Sequence, residues 1–130
     1  MADAALRRIL FIEDDLDIQK IAKLALEALG GFSVLACASG FEALDAVAGF
    51  APDLILLDVM MPGMDGPATL SALRRLPAAE KVPAVFMTAR VQAHELAGYR
   101  ALGAADVIAK PFDPMRLSDT VRGIWDTLPR

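Results

Sequence analysis

The chain has 130 residues, 55% of them hydrophobic, and a formal net charge of -4. That is the length of one domain with enough apolar content for a sizeable core, which excludes a disordered chain, and the acidic balance argues against a nucleic-acid face, which would need a basic patch or stripe. No apolar run approaches the roughly 18 residues of a transmembrane helix and the start lacks a basic segment followed by an apolar one, so the reading is a cytoplasmic protein with no nucleic-acid and no membrane partner.

The first apolar run, Ile9-Leu10-Phe11-Ile12, has strand length and ends in Glu13-Asp14-Asp15. A helix follows, with Asp15 or Asp17 as its cap and Ile18, Ile21, Ala25 and Leu29 on one face. Gly30-Gly31 can end it in the left-handed conformation. Val34-Leu35-Ala36 is the second strand, next to Cys37. A lone cysteine cannot pair internally, and no Cys/His spacing suggests zinc, so Cys37 reads as a small buried hydrophobe. Ser39 with Glu42 is a capping-box pattern ahead of a helix facing inward through Phe41, Leu44 and Ala48.

Leu54-Ile55-Leu56-Leu57 is the third strand and ends in Asp58. Pro67 suits a first helical position before Leu70, Leu73 and Leu76. Ala84-Val85-Phe86-Met87 is the fourth strand, ending in Thr88-Ala89. Val91 to Leu102 is the weakest helix, with Gly98 inside it and Gly103 after it; His94 on it reads as exposed. Val107-Ile108-Ala109 is the fifth strand and leads into Lys110-Pro111. Asp113-Pro114 is a cap-plus-proline start for a last helix with Leu117, Val121, Ile124 and Leu128 on one face. The pairs Arg7-Arg8 and Arg74-Arg75 read as solvated. Tyr99 and Trp125 could serve the core or a partner surface.

None of the five strands alternates apolar with polar, which suggests burial on both faces of a parallel sheet. Right-handed crossovers then place helices on both faces. The predicted fold is α/β, a doubly wound (βα)5 flavodoxin-like parallel sheet with strand order 2-1-3-4-5. No repeat or linker interrupts it, and 1–130 reads as a single domain with no output domain.

In such a sheet, ligands sit outside the carboxyl ends of the strands where the strand order reverses. Glu13, Asp14 and Asp58 should converge there. Like charges at short range repel, and a hard cation removes that cost. An all-oxygen set without His or Cys suits magnesium or manganese, not zinc. Lys110 and the Thr88 hydroxyl complete a set suited to a phosphoryl group, and Asp58 is the candidate nucleophile, since an Asp carboxylate can form an acyl phosphate. Singly, each residue has an ordinary explanation: a helix cap, a solvated lysine, a strand-favouring threonine. The weight lies in their falling at one end of four strands.

Four motifs, Ile9-Leu10-Phe11-Ile12-Glu13-Asp14-Asp15, Leu57-Asp58-Val59-Met60-Met61-Pro62-Gly63-Met64-Asp65-Gly66, Met87-Thr88-Ala89 and Ala109-Lys110-Pro111-Phe112, appear in the order and spacing of one family. The chain resembles the response regulator receiver domain of two-component signalling. The resemblance implies that Asp58 is the phospho-acceptor. It implies that Asp14 binds the metal directly, Glu13 through a water, and Met60 through its backbone carbonyl. Thr88 matches the switch hydroxyl and Lys110 the lysine that pairs with the phosphoryl group. Lys110-Pro111 matches a peptide bond that is typically cis, and Gly66 a loop glycine needed for a backbone turn. The implied partners are a histidine kinase or histidine phosphotransfer protein upstream and an unknown downstream protein, with output through protein contacts or onward phosphotransfer.

Two features stand out against the family's pattern. Where the family usually has Tyr or Phe three residues before the lysine, a ring that changes rotamer with the threonine, this chain has Val107, which is stiff. Either Val107 simply fills the space, or the change on phosphorylation is muted or rerouted. Met60 and Arg90, two residues past Asp58 and Thr88, match the flanks of the hydrolytic water's path. Neither side chain orients a water well, and slow self-dephosphorylation is expected. Two other classes compete. A phosphorylation-independent interaction scaffold on the same fold is opposed by the intact set Glu13, Asp14, Asp58, Thr88 and Lys110. A flavin- or nucleotide-binding protein would want a Gly-rich or Ser/Thr-rich phosphate loop after the first strand, where Glu13-Asp14-Asp15 stands instead.

Overall fold

The computed structural model describes residues 5–129. Residues 1–4, on which the reading of the chain's start rests, lie outside them. Five strands and five helices alternate: β1 (Arg8–Ile12), α1 (Leu16–Ala28), β2 (Ser33–Cys37), α2 (Gly40–Phe50), β3 (Leu54–Asp58), α3 (Gly66–Leu73), β4 (Ala84–Thr88), α4 (Ala93–Ala101), β5 (Asp106–Ala109) and α5 (Leu117–Thr127). The strands pair in parallel in the order β2-β1-β3-β4-β5, as predicted. No helix among the described residues is long and apolar enough to cross a membrane.

Successive side chains of a strand point to opposite faces, and the core divides accordingly. Ile9, Phe11, Leu54, Leu56, Val85 and Met87 pack with Ala22 and Leu26 of α1 and with Leu117, Val121, Ile124 and Trp125 of α5. Leu10, Ile12, Ile55, Leu57, Ala84 and Phe86 pack with Ala43 and Val47 of α2 and Leu70 and Leu73 of α3. Every residue of the inner strands β3 and β4 is buried. The edge strands differ from the expectation of burial on both faces: β2 and β5 keep partly or fully exposed positions, because each lacks a neighbour on one side.

Four further expectations need correction. Helix α1 buries Ala22, Ala25 and Leu26, while Ile21 and Leu29 are exposed. Helix α2 buries Gly40, Ala43 and Val47, while Phe41 and Ala48 face out. In α1 the short side chains of Ala22 and Ala25 sit beside Leu26 on the buried face, and in α2 Gly40 and Ala43 sit beside Val47, while the bulky Ile21, Leu29 and Phe41 are left outside. Helix α5 begins at Leu117; Asp113 instead accepts a hydrogen bond from Met115 N–H at 2.9 Å, closing a turn ahead of the helix. Arg74 is not a solvated charge: its guanidinium donates to the carbonyls of Ala79 (2.8 Å) and Val82 (2.5 Å) and holds the loop before β4. Cys37 is buried and Gly31 is left-handed, as expected. Trp125 belongs to the core.

Candidate metal centre

Each acid follows a buried strand that fixes its position. Glu13 N–H bonds Cys37 O at 3.0 Å, one step beyond the β1–β2 ladder. Asp58 closes β3, and Val59 N–H continues the ladder to Met87 O at 3.2 Å. Lys110 N–H bonds Thr88 O at 2.9 Å, and the Lys110–Pro111 peptide is cis. Asp15 caps α1, accepting from Asp17 and Ile18 N–H, which leaves Glu13 and Asp14 free of that task.

The strand ends bring Glu13, Asp14 and Asp58 together, with one carboxylate oxygen from each lying within 4.8 Å of the others. Lys110 joins them: its Nζ is 2.6 Å from Glu13 Oε1 and 3.2 Å from Asp58 Oδ1. Glu13 is 1% exposed and Asp58 6%. Thr88 is buried, and its hydroxyl accepts from Arg90 N–H at 3.1 Å. It is in phase with Phe86, whereas Asp58 is in phase with Leu56, so the two side chains leave the sheet toward opposite faces. The Met60 side chain and Arg90 are exposed, and so is His94.

Burial pushes Glu13 above the ordinary carboxylate range, and the neighbouring Asp58 charge adds to the rise; the Lys110 hydrogen bond opposes it without cancelling it. For Lys110, burial pulls the pKa down, but the hydrogen bond and charge of Glu13, together with Asp58, raise it overall. The pocket is therefore short of positive charge. Magnesium takes oxygen ligands at about 2.0–2.1 Å, which puts opposite ligands about 4 Å apart. Three oxygens within 4.8 Å of one another fit that dimension, and the all-oxygen chemistry fits a hard cation.

Gly66 has a reason other than the predicted turn. A Cβ there would lie 2.4 Å from Asp58 O and 2.9 Å from Val59 Cα. The start of α3 thus presses on the backbone that carries Asp58, with Gly66 N–H bonded to Val59 O at 2.9 Å. Three supporting residues escaped the sequence reading. Gln19 Nε2 donates to Glu13 O at 3.0 Å, Asp65 caps α3 through Ala68 N–H, and Glu95 Oε1 accepts from Gln92 N–H at the start of α4. Asp65 just before Gly66-Pro67 was a readable cap signal; Gln19 and Glu95 carried none.

The family model described as the response regulator receiver domain matches residues 9–122. The transcriptional regulatory protein CseB of Streptomyces avermitilis is 38% identical over 116 residues, covering 89% of this chain and 48% of that protein. The DNA-binding response regulator MtrA of Mycobacterium tuberculosis is 37% identical over 120 residues, covering 92% and 51%. The chain thus spans about half the length of the curated relatives it matches. Among solved structures, the Vibrio cholerae chemotaxis protein CheY4 superposes with a TM-score of 0.84 at 28% identity, covering 92% of this chain and 99% of that one. The receiver domain of a Syntrophus aciditrophicus signal transduction histidine kinase gives 0.78 at 29% identity, covering 95% and 93%.

Proposed function

The chain belongs to the response regulator receiver domain family of two-component signalling, and from that premise we propose that it accepts a phosphoryl group on Asp58. The single observation that carries this is the meeting of Glu13, Asp14 and Asp58 oxygens within 4.8 Å, with Lys110 Nζ reaching both Glu13 and Asp58. Asp14 would hold magnesium or manganese directly, with Asp58 and the Met60 carbonyl, and Glu13 through a water. Bound there, the ion would neutralise and orient the phosphoryl oxygens.

An Asp58 carboxylate oxygen bonds to phosphorus as the donor's bond to phosphorus breaks; with a phosphohistidine donor, the imidazole nitrogen leaves with the electron pair. Lys110 then pairs with a phosphoryl oxygen, and the Thr88 hydroxyl donates to another. The donor is a histidine kinase or histidine phosphotransfer protein. Output passes through contacts with a downstream protein or by onward phosphotransfer. Hydrolysis is slow, because Met60 and Arg90 offer no carboxylate or amide to aim a water at the phosphorus.

Borohydride reduces an acyl phosphate on aspartate to homoserine. After treatment with acetyl phosphate and magnesium, peptide mapping should find homoserine at position 58. Homoserine at another position would move the nucleophile.

A further inference from the structure

Helix α4 is the helix that has no fully buried side chain among the described residues. It is held against the sheet by partly buried residues, of which Tyr99 makes a defined contact. The ring stands edge-on to Phe86, with centroids 5.6 Å apart and planes at 76°. Phe86 is fully buried on β4, two residues before Thr88 and on the same face of the sheet. Its register partner on β5 is Val107. Tyr99 and Val107 pack against the same cluster. Thr88 thus shares its strand face with Phe86, which Tyr99 of α4 meets edge-on, and its hydroxyl holds the amide of Arg90, three residues ahead of the helix, at 3.1 Å.

We infer that Tyr99 is the ring that carries the state of Asp58 to α4, a role that Val107 leaves to the helix. This rests on the reading of Asp58 as the phospho-acceptor. Thr88 is 2% exposed, so drawing its hydroxyl toward oxygens on Asp58 leaves a gap on the Phe86 side. Close-packed interiors do not keep such gaps at no cost. Val107 is β-branched, with one strongly preferred rotamer and a short reach. Phe86 is locked on an inner strand. Tyr99 sits on the least anchored helix and is the side chain able to follow Thr88 inward. Helix α4 moves with it, and the exposed surface of α4 changes for a partner. Tyr99 is a positioning residue, touching neither metal nor phosphoryl group.

The chain contains one tyrosine, so protein labelled with 3-fluorotyrosine gives one fluorine resonance. With magnesium and acetyl phosphate, and phosphoryl occupancy read by intact mass, that resonance should shift and its solvent isotope effect should fall as the ring is buried. At matched occupancy, Thr88→Ala should lose the shift. Hydrogen exchange over residues 93–101 should respond to phosphorylation in wild type and in Tyr99→Phe, and not in Tyr99→Leu at equal occupancy. An unmoved resonance in protein that carries the phosphoryl group overturns the inference, as does a full α4 response in Tyr99→Leu. Absence of any phosphoryl addition by mass defeats the Asp58 reading first, and this inference with it. Should Tyr99→Leu not fold, the fluorine signal of wild type and Thr88→Ala still decides.

Discussion

Lys110 Nζ lies 2.6 Å from Glu13 Oε1, an ion pair between residues 97 positions apart that joins the ends of β1 and β5. It is the counter-charge of the pocket before any cation or phosphoryl group arrives. Lys110→Met should therefore leave Glu13 and Asp58 close together and unneutralised. Removing one partner of a fully buried pair costs about 3–5 kcal/mol; Lys110 retains some exposure, and about 2 kcal/mol at neutral pH is the expected loss. Thermal unfolding with and without magnesium checks it. Magnesium should restore much of the stability, and an unchanged melting temperature without metal would refute the counter-charge role.

The raised Glu13 pKa gives the pocket a pH dependence. A raised carboxylate pKa means that the folded protein binds more protons than the unfolded chain just above the ordinary carboxylate range, so metal-free stability falls as pH rises through that window. Metal binding wants the deprotonated form and releases the proton. Affinity for magnesium should thus climb as pH rises through the folded-state pKa of Glu13, and Glu13→Gln should flatten the climb. Lys110 works with the same sign in a higher window: its raised pKa gives a stabilisation present below the ordinary lysine range and lost as pH rises through its folded value. Calorimetric titration at several pH values, in buffers of different ionisation enthalpy, measures the proton release.

Gly66→Ala should damage the site from outside it. Its Cβ would meet backbone atoms of Asp58 and Val59, which cannot step aside as a flexible side chain can. A destabilisation of about 1–3 kcal/mol is expected from forced overpacking, with slower phosphorylation because Asp58 is displaced. Denaturant melts and acetyl phosphate kinetics check both parts. A phosphorylation rate equal to wild type would show that the start of α3 does not position Asp58.

Most of the fold was legible because two signals agreed. Strand-length apolar runs alternated with helical patterns, and a glycine, proline or capping residue stood near most junctions. Helix faces were less legible. In α1 nearly every side carries an apolar residue, so the 3.6-residue period is satisfied by Ile21 and Leu29 as well as by Ala22 and Leu26; only packing on the sheet decides between them. The site acids could be read because parallel strands bring their carboxyl ends together. The close approach of Gly66 to Asp58 and the edge-on contact of Tyr99 with Phe86 are matters of three-dimensional distance, with no trace in spacing.

Loss of the phosphoryl group should be slow in wild type and faster in a variant with Met60→Asn and Arg90→Glu. Both positions are exposed beside the site, where a side-chain amide or carboxylate could orient a water. General-base assistance typically contributes about 10²–10⁴-fold, and a flanking residue acting on a water through orientation should give roughly tenfold. The decay of phosphorylated protein, followed by intact mass, reads it. Equal half-lives in the two proteins would remove Met60 and Arg90 from the explanation.

Intact mass after treatment with acetyl phosphate, with and without magnesium, on wild type and Asp58→Ala, tests phospho-acceptance most directly. One phosphoryl group added to wild type only when metal is present, and none to Asp58→Ala, is the expected result. No addition to wild type under any condition, or equal addition to Asp58→Ala, would contradict the assignment of Asp58 as the acceptor.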